Sequence, residues 1–358
     1  MNLIDVLGDE IGARLAGTAA SRRAADAVAA AFRELGLEPY LQEFPFLAYE
    51  PDEPLLEIDG ERWPVGPVMY GQPADVAGTV RRIGTHVVLP QIFEPPAFAV
   101  EADGREVGRI YVNPLGGGAT PFPTGYGPVL TGPGAYVSSA DGERLVEGSR
   151  ARLRVGGRLA ATTERNVGTV LAGDTPATVV VCAHYDSAWR AGGAVDNASG
   201  VEAMRRIVER VARSRHRRTL HAIAFGAEEL GLSGARFFVA DAKTRGRFGE
   251  IEAVVNLECL GRGDRLEVWA SPDLQQRAVR IAGDLAPTTR PPLPGSDHFP
   301  FAQEHVPAAC IMRWPFPEYH LPSDVPGIVD EGLLEEGVDF AARLVEELLD
   351  EDQSSPSR

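Results

Sequence analysis

An apolar run at 179–183, VVVCA, ends in His184, and Asp186 follows two residues on. A loop of small residues then leads to Asp196, Asn197 and the Ser199-Gly200 pair, where a helix begins. Buried strand, polar loop and helix alternate in this way to the end of the chain, and no other feature constrains the fold as much. Strands are expected near 178–183, 219–225, 251–257, 265–270 and 307–312, with helices near 200–213, 232–241, 272–285 and 331–349. The expected class is α/β, a mostly parallel mixed sheet with helices on both faces.

The preceding half reads differently. At 358 residues the chain exceeds one ordinary core, so a large domain plus a smaller one is expected. A helix is expected at 19–35, stopped by Gly36, and a strand within 37–46. From 50 to 160 proline and glycine become frequent, helix signals vanish, and short alternating runs appear: LLEIDG, GTVRRIG, GRIYVN and ARLRV. The expected organisation is 1–49 as the first part of the large domain, 50–160 as a β-rich insertion, 161–349 as the rest, and 350–358 as a disordered tail with no apolar anchor. His86 reads as structural or surface, and GGG at 116–118 lacks the Lys-Ser/Thr and helix of a phosphate loop.

The net charge of −16 argues against nucleic acid or an anionic membrane as partner. No run of 18 apolar residues occurs. The N-terminus lacks a secretory pattern, and the three cysteines sit in apolar runs, so a reducing, cytoplasmic location is expected. The one basic cluster, RRIVERVARSRHRR at 205–218, reads as a solvated helix end, with an anion-binding patch as the alternative.

Ligands of an open α/β sheet bind outside the carboxyl ends of its strands. His184 lies at such an end, Glu228 and Glu229 follow the strand at 219–225, Glu258 closes the strand at 251–257, and His320 follows the last strand. Imidazole and carboxylate are good zinc ligands. Asp186 can reach the second ring nitrogen of His184 and fix its tautomer. A lone His-x-Asp or Glu-Glu pair is commonly chance or a solvated face. Glu258 is harder to dismiss, because a carboxylate between Leu257 and Cys259 needs a partner.

The series AHYDS, AVDNASG, FGAEELGLSGA, NLECLG, GSDHFPF and EYHLPSD resembles the two-zinc aminopeptidase family, which includes glutamate carboxypeptidase and the zinc-dependent glutaminyl cyclases. The likeness runs through 166–348, and RLAGT near the start is also similar. It implies two Zn2+, one held by His184, Asp196 and Glu258, the other by Asp196, Glu229 and His320, with Asp196 bridging. It implies Glu228 as general base and acid, a cis bond between Asp196 and Asn197, Tyr319 at the oxyanion, and Asp297 and His298 lining the pocket or bonding its loop. Arg313 reads as a structural ion pair rather than a substrate contact. Most relatives carry Asp where Glu258 stands. GPGAYVSSADGERLVEG and TERNVGTVLAG resemble a protease-associated insertion without its central helix, implying a substrate-access module. The implied activity is removal of N-terminal residues from peptides. The alternatives are a carboxypeptidase or amidase on small N-acyl compounds, a glutaminyl cyclase, or an inactive binding homologue.

Overall fold

The computed structural model describes residues 1–89, 92–120, 122–123 and 130–350. Residues 351–358, most of the expected tail, lie outside that set, and Asp350 closes a helix.

The large sheet has eight strands: β1 (Tyr40–Pro51), β2 (Gly157–Leu171), β3 (Thr178–His184), β4 (Thr219–Phe225), β5 (Ile251–Glu258), β6 (Arg265–Ala270), β7 (Thr288–Arg290) and β8 (Ala308–Trp314). Their spatial order is β1-β2-β4-β3-β5-β8-β6-β7. The central strands β4, β3, β5 and β8 are parallel, whereas β1–β2, β2–β4 and β8–β6 pair antiparallel. Burial on both faces explains the near-continuous apolar sequence of β3. Val179, Val181 and Ala183 face the helices Ala19–Glu34, Gly200–Val211 and Glu331–Asp350. Val180 and Cys182 face Phe238 and Val239 of the helix Ser233–Thr244 on the other side. The pleat thus divides one run between two cores.

A second sheet of nine strands lies between Leu55–Ile58 and Arg150–Val155, around Leu56, Val80, Val100, Ile110 and Leu153. It hangs on β1 and β2, whose ladder runs from Tyr40↔Gly168 to Pro51↔Gly157. The Asp52 amide then donates to the Gly156 carbonyl at 3.0 Å.

One expectation changes and another holds in part. Ser139–Arg144 forms a helix inside the stretch expected to hold none, because the Ser138 hydroxyl caps the Asp141 amide at 3.0 Å. The basic cluster is a solvated end at Arg213 and Arg215, which are exposed, while Arg206, Arg210 and Arg218 are tied into ion pairs. Arg206 pairs with Glu331 at 2.6 Å and with Glu335, Arg210 with Glu346 at 2.6 Å, and Arg218 with Glu252 at 2.6 Å. Among the described residues no helix is long and apolar enough to cross a membrane.

Candidate active site

β3 ends on His184 and β5 on Glu258, so both side chains leave the sheet at the same edge. Glu228 and Glu229 follow β4, and His320 follows β8. Asp196 sits in the turn Ala194–Ser199 that opens the helix Gly200–Val211, with a cis bond to Asn197. The topology brings these six residues into one crevice.

Asp196 is shared between two groups. Its Oδ1 lies 3.1 Å from His184 Nε2, and its Oδ2 lies 3.3 Å from His320 Nε2. Glu258 Oε1 completes the first group at 3.1 Å from His184 Nε2, and Glu229 Oε2 the second at 3.0 Å from His320 Nε2. Each trio offers atoms within 4.8 Å of one another. Glu228 belongs to neither trio, with Oε2 3.9 Å from His184 Nε2.

Burial makes this arrangement electrostatically demanding. It opposes charge on His320, but Glu229 and Asp196 outweigh it and push the imidazole up to about 10. For His184 burial is likewise overcome, by Glu258 and Glu228 first. The Glu228 carboxyl is raised well above its usual range by burial, with Glu229, Asp297 and Glu258 adding to the rise. Four carboxylates, Asp196, Glu228, Glu229 and Glu258, thus face two imidazoles, and Glu229 Oε1 is buried with no hydrogen-bond partner. Two dications in the two trios fit this donor set of oxygen and imidazole nitrogen.

The loops are held by Arg14, Asp324 and Asn197, which lie within the quoted motifs and of which only Asn197 was expected at the site. Arg14, buried and far away in sequence, donates to the carbonyls of Tyr185 at 2.5 Å, Leu7 at 3.1 Å, Gly192 at 2.5 Å and Gly193 at 2.7 Å. Its charge lies near Asp324 and Asp186, and burial lowers it to about 10. Asp324 accepts from the amides of Val195 at 2.7 Å and Asp196 at 3.0 Å. Asn197 donates to the Leu257 carbonyl at 2.9 Å and accepts from the amides of Gly200 and Cys259. Only the long-range contacts disclose these roles.

Asp186, Asp297, His298, Tyr319 and Arg313 complete the expected set. His184 Nδ1 lies 3.2 Å from the Asp186 carbonyl oxygen and 3.6 Å from the Asp186 carboxylate. That carboxylate, which helps raise His184, also accepts from the amides of Glu228 and Glu229, at 3.1 and 3.3 Å, and fixes the turn carrying both glutamates. Asp297 and His298 are fully buried and are not among the residues lining the cavity. Burial pushes Asp297 up and holds His298 down to about 3, so the imidazole is neutral. Tyr319 does line the cavity, with its ring stacked on His320 at 3.9 Å and edge-on to Trp314 at 4.8 Å. Arg313 pairs with Glu336.

The cavity has an apolar wall from Trp269, Met312 and Trp314, and from Leu89, Ile92, Phe93 and Phe122 of the 55–155 unit. The Phe122 ring stacks on His320 at 5.0 Å. No sequence signal marked these four residues, because apolar side chains in a β-rich stretch read as its own core.

A crevice at the carboxyl ends of parallel strands, with one aspartate shared by two histidine–carboxylate groups, is the layout of a two-metal site. The chain belongs to peptidase family M28, whose family model matches residues 166–345. It is 26% identical to aminopeptidase YwaD of Bacillus subtilis (strain 168), over 96% of this chain and 83% of that protein. The solved structure of BSAP, a zinc aminopeptidase from Bacillus subtilis, superposes with a TM-score of 0.75 at 22% identity, covering 99% of this chain and 95% of that one. The peptidase M28 precursor from Shewanella amazonensis SB2B gives 0.78 at 18% identity, covering 98% and 92%.

Proposed function

We propose that this protein is a two-zinc aminopeptidase. The observation that carries the reading is the division of Asp196 between two imidazole–carboxylate groups, with Glu228 beside them and outside both. His184, Asp196 and Glu258 would hold one ion, and Asp196, Glu229 and His320 the other. What the ions supply when bound is Lewis acidity, which brings the pKa of water from about 15.7 toward 7 and draws charge from a carbonyl oxygen.

The remaining steps belong to the chain. Glu228 Oε2 faces the trios and takes the proton of the attacking water. Its burial favours the protonated carboxyl. The same oxygen then delivers that proton to the departing amine. Tyr319, on the wall beside His320, would donate its hydroxyl to the developing oxyanion. The apolar wall receives an aliphatic or aromatic N-terminal side chain. Among the described residues lining this cavity there is no arginine or lysine. A substrate carboxylate would lack a cationic partner there, which favours an aminopeptidase over a carboxypeptidase.

The test is turnover by the zinc-loaded enzyme of amino-acid p-nitroanilides, N-acyl amino acids and N-terminal glutaminyl peptides. Cleavage confined to the first supports the proposal. Preference for either of the others replaces it with an amidase or a cyclase. Zinc uptake without turnover of any would leave an inactive homologue.

A further inference from the structure

The two ligand glutamates are held in opposite ways. Glu258 turns Oε1 toward His184, while its Oε2 accepts a hydrogen bond of 2.5 Å from the Ser296 hydroxyl. Asn256 Nδ2 donates to Ser296 Oγ at 2.8 Å and lies 3.5 Å from Glu258 Oε2. The direction of this relay follows from the donor inventory. An amide nitrogen can only donate, so the single hydroxyl proton of Ser296 is left for the carboxylate. The amide's orientation is fixed from behind, because the Cys182 thiol donates to Asn256 Oδ1 at 3.4 Å and Nδ2 faces Cys310 Sγ at 3.5 Å. Ser296 is 1% exposed and Asn256 is fully buried, so water does not compete for the relay. Glu229 has no such restraint, since its Oε1 is buried without a partner.

We propose that Ser296 and Asn256 are positioning residues that commit Glu258 to a single oxygen at the metal position beside His184, and that this clamp sets the affinity of that position alone. The inference rests on the two-zinc reading above. Glu258 presents only Oε1 to the crevice, whereas Glu229 keeps both oxygens available at the position beside His320. The two positions therefore depend on different supporting groups. Loss of the serine hydroxyl frees Oε2, lets the carboxylate rotate, and loosens one position while sparing the other.

The experiment uses the full chain, stripped of metal and titrated with Zn2+ alone against a competing chelator. Two equivalents are expected in the wild type. Ser296→Ala weakens one of them by roughly tenfold to a hundredfold, the range for groups supporting a ligand, and leaves the other unchanged. Ser296→Thr keeps the hydroxyl and restores the weakened position, which a general packing defect would not allow. Glu258→Asp, too short to reach both His184 and Ser296, weakens the same position and serves if Ser296→Ala does not fold. Two equivalents in the wild type, with both affinities unchanged in either variant, overturn the clamp alone. Fewer than two in the wild type overturn the two-zinc reading beneath it.

Discussion

Glu228 and Arg14 illustrate two kinds of residue, one legible in the sequence and one not. Replacing Glu228 with Gln keeps the shape and removes the proton carrier. Turnover should fall by roughly 10²–10⁴ with zinc content unchanged, read by steady-state kinetics beside metal analysis. Lost zinc would mean that Glu228 is a ligand and that its role has been exchanged with that of Glu229. Arg14 spends its guanidinium on carbonyls of loops that carry His184 and Asp196. Arg14→Met should cost about 3–5 kcal/mol by chemical denaturation, because it strands buried acceptors and removes a cation near Asp324. Arg14→Lys should not restore it, since an ammonium lacks the planar fork of donors. Histidines and glutamates at strand ends announce a metal site because few other roles suit them there. Arg14, Asp324 and Ser296 are ordinary residue types, and only contacts distant in sequence give them their positions.

Among the secondary-structure elements, the central strands β3, β4, β5 and β8 were legible because burial on two faces writes continuous apolar runs, whereas β2, largely uncovered along its first half, was not expected at all. The three-residue β7 and the cap-driven helix Ser139–Arg144 are too short to leave a period. Contacts across strands were also invisible. Tyr40 on β1 lies over Gly168 of β2, where a Cβ would meet its ring at 2.4 Å, and its hydroxyl reaches His221 Nε2 of β4 at 2.6 Å. Burial, helped by Arg247, lowers His221 from 6.5 to about 4. The unfolded chain therefore takes up a proton below pH 6.5 that the folded ring refuses until about 4. The stabilisation is whole above that window and is lost as the pH falls through it. The full shift would be larger, but the ring is only half-buried, so about 2 kcal/mol is expected. His221→Gln should flatten the stability curve across the same window, as urea unfolding at pH 7 and pH 4.5 would register.

For the molecule as a whole, the change in composition after residue 50 disclosed a second β unit, but not that its side chains reach the metal crevice. Leu89, Ile92, Phe93 and Phe122 give the cavity part of its apolar wall, whereas the residues of the two trios come from the large domain. Joining Pro51 to Gly157 through a two-residue turn should therefore leave two zincs per chain. Discrimination between leucyl and alanyl substrates should fall by roughly tenfold or more, because one side of the pocket is gone. Metal analysis and a pair of kcat/KM values test both halves. Loss of zinc would show that the second unit supports the metal loops.

The ladder of β1 and β2 has a further consequence, in the time order of folding. Its strands lie on either side of the whole 52–156 stretch, and closing a loop of that length costs roughly 4 kcal/mol of chain entropy. The small sheet has its own core and ends with Asp52 and Gly156 3.0 Å apart. Once it has formed, that loop is already closed, and the ladder can zip from Pro51↔Gly157 outward to Tyr40↔Gly168 as if it were a hairpin. The insertion then works as a clasp that spares the nascent large domain a long-range search. Weakening its core with Leu153→Ala should slow refolding of the large sheet, followed by stopped-flow fluorescence, more than it speeds unfolding of that sheet.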